Sequence, residues 1–173
     1  MIQYVKQKGD LSNISKEVIR TAVRGIILRD EMILLIRTAK GDLKFPGGGL
    51  EENETLEEAL IREIREETGY VNVIVQKDNH FGMYIERKLD QFEEYTVFES
   101  HSIYMFTEVI GDERICVKLD DYEEVLQFQA EWIPIKDAII QNTYALLSEK
   151  EPNGWVEREI TILQALLEWK KSK

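Results

Sequence analysis

Cysteine, histidine and positive charge are all scarce in this chain of 173 residues. A single cysteine, Cys116, excludes an internal disulfide and suits a reducing compartment. Its neighbours Ile115 and Val117 predict a strand there, with the thiol packed rather than reactive. The two histidines, His80 and His101, lack metal-ligand spacing and read as ordinary sheet or loop residues. Lys and Arg total 22 against 33 Asp and Glu, a formal net charge of −11. With no Lys/Arg stripe to release counterions, a nucleic-acid polymer is not an expected partner. No apolar run approaches a membrane span, residues 32–36 coming nearest, and the opening MIQYVKQKGD lacks the apolar core of a signal peptide. Repeats, low-complexity tracts and Pro/Ser-rich linkers are missing too. These absences predict one cytoplasmic domain over residues 1–173, with no membrane partner and a core of substantial size. Small phosphorylated substrates stay compatible with the acidic balance, because metal ions neutralise both partners locally.

Periodicity supplies the elements. Residues 18–28 and 32–37 read as strands around the turn Arg29–Asp30–Glu31, followed by strands over 71–76, 82–87, 95–109, 114–119 and 127–135. Helical patterns cover 55–68, 136–147 and, after Pro152–Asn153–Gly154, 155–170. Mixed strands and helices predict a layered α/β domain.

The stretch from Gly48 to Tyr70, GGLEENETLEEALIREIREETGY, is the most informative in the chain. Thr55 with Glu58 forms a capping box, and Gly69 stands where a helix end takes a left-handed residue, so the helix is delimited at both ends. Leu56, Ala59, Leu60 and Ile64 make its apolar stripe. Glu63 and Glu67 fall within that stripe and Glu66 at its edge. A Glu-rich helix is ordinarily a solvated face. Here the carboxylates adjoin a buried one, where they repel and lose hydration unless a cation joins them. Oxygen donors at this density suit Mg²⁺ or Mn²⁺. Upstream, Phe45–Pro46–Gly47–Gly48–Gly49 is a loop able to present N–H groups to phosphate or a carbonyl to a metal.

The same residues fit the pattern G-x5-E-x7-R-E-U-x-E-E-x-G-U, with U a bulky apolar residue; Tyr70 replaces the usual aliphatic one, and its ring can still pack on the core side. The pattern fixes one residue type at each of Gly48, Glu54, Arg62, Glu63, Glu66, Glu67 and Gly69, a match expected by chance about once in 10⁸ start positions. This is the Nudix box, and the chain resembles the Nudix hydrolases, which cleave nucleoside diphosphates linked to another moiety. Looser matches, LLIR followed by KFPGGG and Glu131–Trp–Ile–Pro–Ile before a helix, extend the resemblance over about residues 18–147.

The resemblance implies a Nudix fold, a mixed sheet sandwiched between helices, and water attack at phosphorus with Mg²⁺ (or Mn²⁺) as cofactor. It assigns the metal to Glu63, Glu66 and Glu67 with the Gly48 carbonyl, the catalytic set to these acids with Arg62, and a loop–helix brace to Glu54 and Arg62. The general base is then Glu63 or an acid of the later run Asp120, Asp121, Glu123, Glu124. Arg20, Arg24, Arg37 and Lys44 are the expected substrate contacts, with Glu123 and Glu124 from that run. Nucleoside triphosphates, nucleotide sugars, dinucleoside polyphosphates and ADP-ribose all carry the group that the box recognises; loops 88–94 and 119–126 are where specificity would lie. Two other readings share the fold: a non-catalytic nucleotide sensor, and an isomerase of the isopentenyl diphosphate type. The isomerase needs a cysteine upstream of the box helix, and Cys116 lies downstream. The C-terminal helix is expected to cover the sheet or to form a homodimer contact.

Overall fold

The computed structural model describes residues 2–172, excluding the side chains of residues 77 and 78. Seven strands and four helices occur among them: β1 (Ile2–Lys8), β2 (Lys16–Arg29), β3 (Met32–Arg37), β4 (Leu43–Lys44), α1 (Leu56–Thr68), β5 (Val73–Leu89), β6 (Thr96–Val109), α2 (Asp121–Val125), β7 (Gln129–Pro134), α3 (Ile135–Ser148) and α4 (Val156–Lys171). The sheet order is β1-β5-β6-β2-β3-β4, with β7 paired to β3. β1 with β5 and β2 with β6 are parallel, the other pairs antiparallel, so the sheet is mixed.

Strand alternation sorts the core into two layers. Val23, Ile27 and Leu34 pack with Ala59, Leu60 and Ile64 of α1. Their neighbours Ile26, Ile33 and Leu35 face the opposite way, onto Ile135 and Ala138 of α3 and Ile162, Leu163 and Leu166 of α4. The expected sandwich is therefore present, and α4 covers the sheet.

Two features place the functional region. β2 pairs with β3 only at Leu28↔Ile33 and Arg29↔Met32, so the sheet parts along the rest of β2. The loop after β4 fills the gap: Gly25 N–H donates to Pro46 O at 2.8 Å, Val23 N–H to Gly48 O at 2.9 Å, and Gly49 bridges Ala22. Gly47 has φ +136, and any Cβ there would collide with Val23 O, which leaves no residue but glycine. In α1 the reciprocal Thr55–Glu58 capping box and left-handed Gly69 (φ 76) stand as the sequence predicts.

Residues 2–8, for which the sequence predicts no element, form an edge strand beside β5. Two sequence expectations fail. Residues 73–76 and 82–87 belong to one long strand interrupted by bulges, and residues 71 and 72 precede it. Residues 114–119 are extended but form no strand: Ile115 N–H donates to Gly69 O (2.8 Å) and Lys118 N–H to Glu66 O (2.9 Å), so their partner is the end of a helix, where carbonyls lack intrahelical donors. Cys116 is accordingly exposed rather than packed, with Ile115 and Val117 58% and 48% exposed. Among the described residues no helix is long and apolar enough to cross a membrane.

Candidate active site

α1 turns Glu63 and Glu67 inward, toward the glycine loop. Gly48 lies against the Glu63 carboxylate, leaving no room for a Cβ. Glu67, 1% exposed, accepts from Gly47 N–H at 2.8 Å and from Lys44 Nζ. Lys44 is itself buried, with Nζ 4.5 Å from the centre of the Phe128 ring. Burial opposes charge on both partners more than the pair restores it: the Glu67 carboxyl is pushed up to about 7, and the Lys44 ammonium is held below its usual range. Burial likewise raises Glu63, against the lowering effect of Arg62.

Arg62 ties the region together. Its Nε and Nη2 grip the two oxygens of Glu54 at 2.7 and 2.9 Å, Nη2 also reaches Gly49 O (3.1 Å), and Nη1 donates to Glu63 (2.8 Å) and Glu66 (3.2 Å). The hydrogen bonds from Arg62 hold Glu54 ionised to lower pH than usual. Loop, helix and Glu63 are thus fixed by one guanidinium fork.

A third inward carboxylate comes from α2. Glu123 is buried, closes a capping box with Asp120 N–H (2.9 Å) and accepts from Tyr122 OH (3.0 Å). Single oxygens of Glu63, Glu67 and Glu123 lie within 4.8 Å of one another. Ligands on opposite sides of an octahedral Mg²⁺ stand about 4.2 Å apart, so this all-oxygen trio is close to the size of such a site. The grouping differs from the box triad. Glu66 remains half-buried between Arg62 and, at 3.9 Å, Lys118, outside the trio. Glu124, one residue beyond Glu123, is exposed.

Beside the carboxylates opens a cleft of about 320 Å³, reached by Gly48, Lys44, Arg24 and Arg20. Arg37 does not reach it: its guanidinium is clamped on Glu131 at 2.6 and 2.7 Å, with Gln141 at 3.2 Å, a structural fork between β3, β7 and α3. The Gly48 carbonyl, expected to face a metal, accepts from Val23 N–H and holds the loop to β2.

A model of the NUDIX domain matches residues 18–155. The chain belongs to this family. A stretch of 54 residues, 29% of this chain, is 52% identical to the ADP-ribose pyrophosphatase of Methanocaldococcus jannaschii and spans 32% of that protein. Among solved structures, a NUDIX hydrolase from Nitrosomonas europaea has a TM-score of 0.53 at 22% identity, covering 84% of this chain and 88% of that one. The E. coli ORF135 protein has a TM-score of 0.52 at 20% identity, with 95% and 98% covered. At such identities the likeness is one of fold.

This NUDIX chain also places in the cleft residues that sequence reasoning missed. Trp155 and Arg158, from the start of α4, both line it. Asp42 anchors Trp155: it is 1% exposed and accepts from Thr38 Oγ1 (2.6 Å), Asn153 Nδ2 (2.9 Å) and Trp155 Nε1 (2.8 Å). Arg158 bonds to fully buried Glu159. The run Pro152–Asn153–Gly154–Trp155 marks a turn, but no local pattern says that it folds back over β4. Tyr70, the unusual box residue, is accounted for: its hydroxyl accepts from Arg114 Nη2 (2.7 Å) and Trp132 Nε1 (2.9 Å), so a buried phenol costs little.

Proposed function

We propose that this chain is a divalent-metal-dependent pyrophosphohydrolase that cuts a phosphoanhydride bond of a nucleoside diphosphate derivative by water attack at phosphorus. The observation that carries the reading is the trio Glu63, Glu67 and Glu123, whose neighbours Gly48, Lys44 and Tyr122 line a cation-rich cleft, in a chain whose net charge is −11. Membership of the NUDIX family supports it.

Glu63, Glu67 and Glu123 would hold Mg²⁺ or Mn²⁺. The ion, when bound, supplies charge that neutralises phosphate oxygens and eases departure of the leaving group. Lys44, paired with Glu67 and lining the cleft, would offset the carboxylate's charge and face a bound phosphate. Glu63 is the candidate for taking the proton from water: burial makes its carboxylate more basic than an exposed one, and Arg62 holds its orientation. Glu66 helps to fix Arg62, acting on geometry. Glu54 completes the brace.

A phosphate-release screen over nucleoside triphosphates, nucleotide sugars, dinucleoside polyphosphates and ADP-ribose, with Mg²⁺ and with Mn²⁺, tests this directly. Hydrolysis should vanish on chelation and in Glu63→Gln, and solvent ¹⁸O should enter a phosphate product. Turnover that survives exhaustive chelation, or label found only in a sugar or alcohol, would overturn the proposal.

A further inference from the structure

The carboxylate trio stands beside the middle of a short run of β2. Glu63 faces Gly48, and the glycine loop is bonded to Val23 and Ala22. Alternation sends Arg20, Ala22 and Arg24 to one face of the sheet, all three lining the cleft. Arg24 therefore stands next to the point where Gly48 and Glu63 meet β2, and Arg20 lies farther along, their Cα atoms about 13 Å apart along the strand. Arg20 leans over the loop, its Nη2 3.1 Å from where a Cβ of Gly49 would stand. Across the sheet the register runs Val18↔Phe98 and Phe98↔Lys88, which puts Lys88 on the Arg20 side.

Of the five cations lining the cleft, two are paired: Lys44 with Glu67, and Arg158 with Glu159. Among the described residues, no carboxylate pairs with Arg20, Arg24 or Lys88. Glu86, the acid on the same face, is engaged by Lys8 at 3.3 Å. Arg24 is the costliest of the three, because Nε and Nη1 are shut off from solvent without a hydrogen-bond partner, and Arg158 adds a like charge nearby. A protein with 33 acids and 22 bases has, among the described residues, left three cations on one strip of sheet without a carboxylate, Lys88 having only the face of the Phe98 ring at 5.8 Å. The complement missing from that strip is an extended anion.

We propose that Arg24 and Arg20, with Lys88 behind Arg20, form an anion receptor that runs along β2 away from the carboxylates, so that the preferred substrate carries a third anionic group beyond the diphosphate being cut. That describes a nucleoside triphosphate or a longer phosphate chain, and disfavours a diphosphate whose two ends are neutral. The direction of cleavage rests on the hydrolase reading; the receptor rests on β2 and β5 alone.

The test is calorimetric titration of inorganic tripolyphosphate and of pyrophosphate into the chelator-treated full chain. Tripolyphosphate should bind at least about tenfold more tightly than pyrophosphate. Arg20→Met and Lys88→Met, at non-core positions, should each reduce that ratio several-fold with pyrophosphate affinity little changed, while Arg24→Met should weaken both anions. Lys136→Met removes the same charge from the exposed surface of α3 and should leave the ratio intact. Equal affinity for the two anions in the parent, a ratio unaltered by Arg20→Met, or an equal loss in Lys136→Met would each overturn the receptor. Because binding is read without turnover, the two readings fail separately. A chain that shows the preference and hydrolyses nothing loses the hydrolase assignment alone. One that hydrolyses nucleotide sugars and triphosphates equally, with no anion preference, loses only the receptor.

Discussion

Glu67→Gln should stabilise the metal-free protein while abolishing its activity. The Glu67 carboxyl sits at about 7 in the folded chain against 4.5 when unperturbed, so burial disfavours its charge more than Lys44 and Gly47 favour it. At about 1.4 kcal/mol per pH unit, that difference caps the gain from a neutral side chain near 3 kcal/mol at pH 8. Gln offers a single acceptor oxygen where the carboxylate served two donors, which returns about 1–2 kcal/mol. Breaking a buried pair usually costs about 3–5 kcal/mol because a charge is stranded, but burial has already lowered Lys44, so it can release its proton instead. Releasing that proton at pH 8 costs up to about 3 kcal/mol, less the further burial has already lowered Lys44, so the net gain is at most about 1–2 kcal/mol, or up to roughly 2–8 °C in Tm for a chain of this length. The sign depends on pH. A carboxyl raised in the folded state contributes stability that is present below 4.5 and lost as pH rises through about 7. Thermal melts with chelator should therefore show the variant above the parent at pH 8 and no higher at pH 5; added Mg²⁺ should raise the parent and not the variant. A variant that melts several degrees lower at pH 8 would refute the reasoning and make Lys44–Glu67 a net stabilising pair.

Glu123→Gln should weaken Mn²⁺ binding by at least about tenfold in calorimetry, whereas exposed Glu124→Gln should leave it unchanged. Arg62→Lys removes the fork on Glu54 and should lower kcat about 10–100-fold, with a smaller loss of stability in urea. Asp42→Ala strands the buried donors of Thr38, Asn153 and Trp155; it should cost about 2–4 kcal/mol and shift tryptophan emission, with KM rising more than kcat falls.

What could be read from the sequence divides along a physical line. Features set by neighbours in the chain were legible: the capped box helix and the inward Glu63 and Glu67 follow from helical spacing, while the Glu54–Arg62 brace came from the family resemblance. Features set by tertiary contact were not. Glu123 looks like one acid in a solvated run until α2 is folded against α1. Arg24 and Arg37 sit at similar strand positions in apolar surroundings, yet one faces a cleft and the other meets Glu131, which only the β3–β7 pairing decides. The strand expected over 114–119 had the composition of a strand but met helix-end carbonyls in place of a neighbouring strand.

That last segment has a dynamic consequence. Residues 114–119 lie exposed on the end of α1, tied to it by the amides of Ile115 and Lys118, and they lead straight into Asp120 and α2. Segments held by a few solvent-accessible hydrogen bonds open locally at far lower free energy than the core. Opening of this one would free the chain that leads into Glu123, while the capped helix, its glycine loop and the Arg62 fork stay folded. For an ion held by Glu123 as proposed, affinity would then be linked to an order–disorder equilibrium at the surface, and substitutions at Ile115 or Lys118 would tune metal occupancy from outside the site.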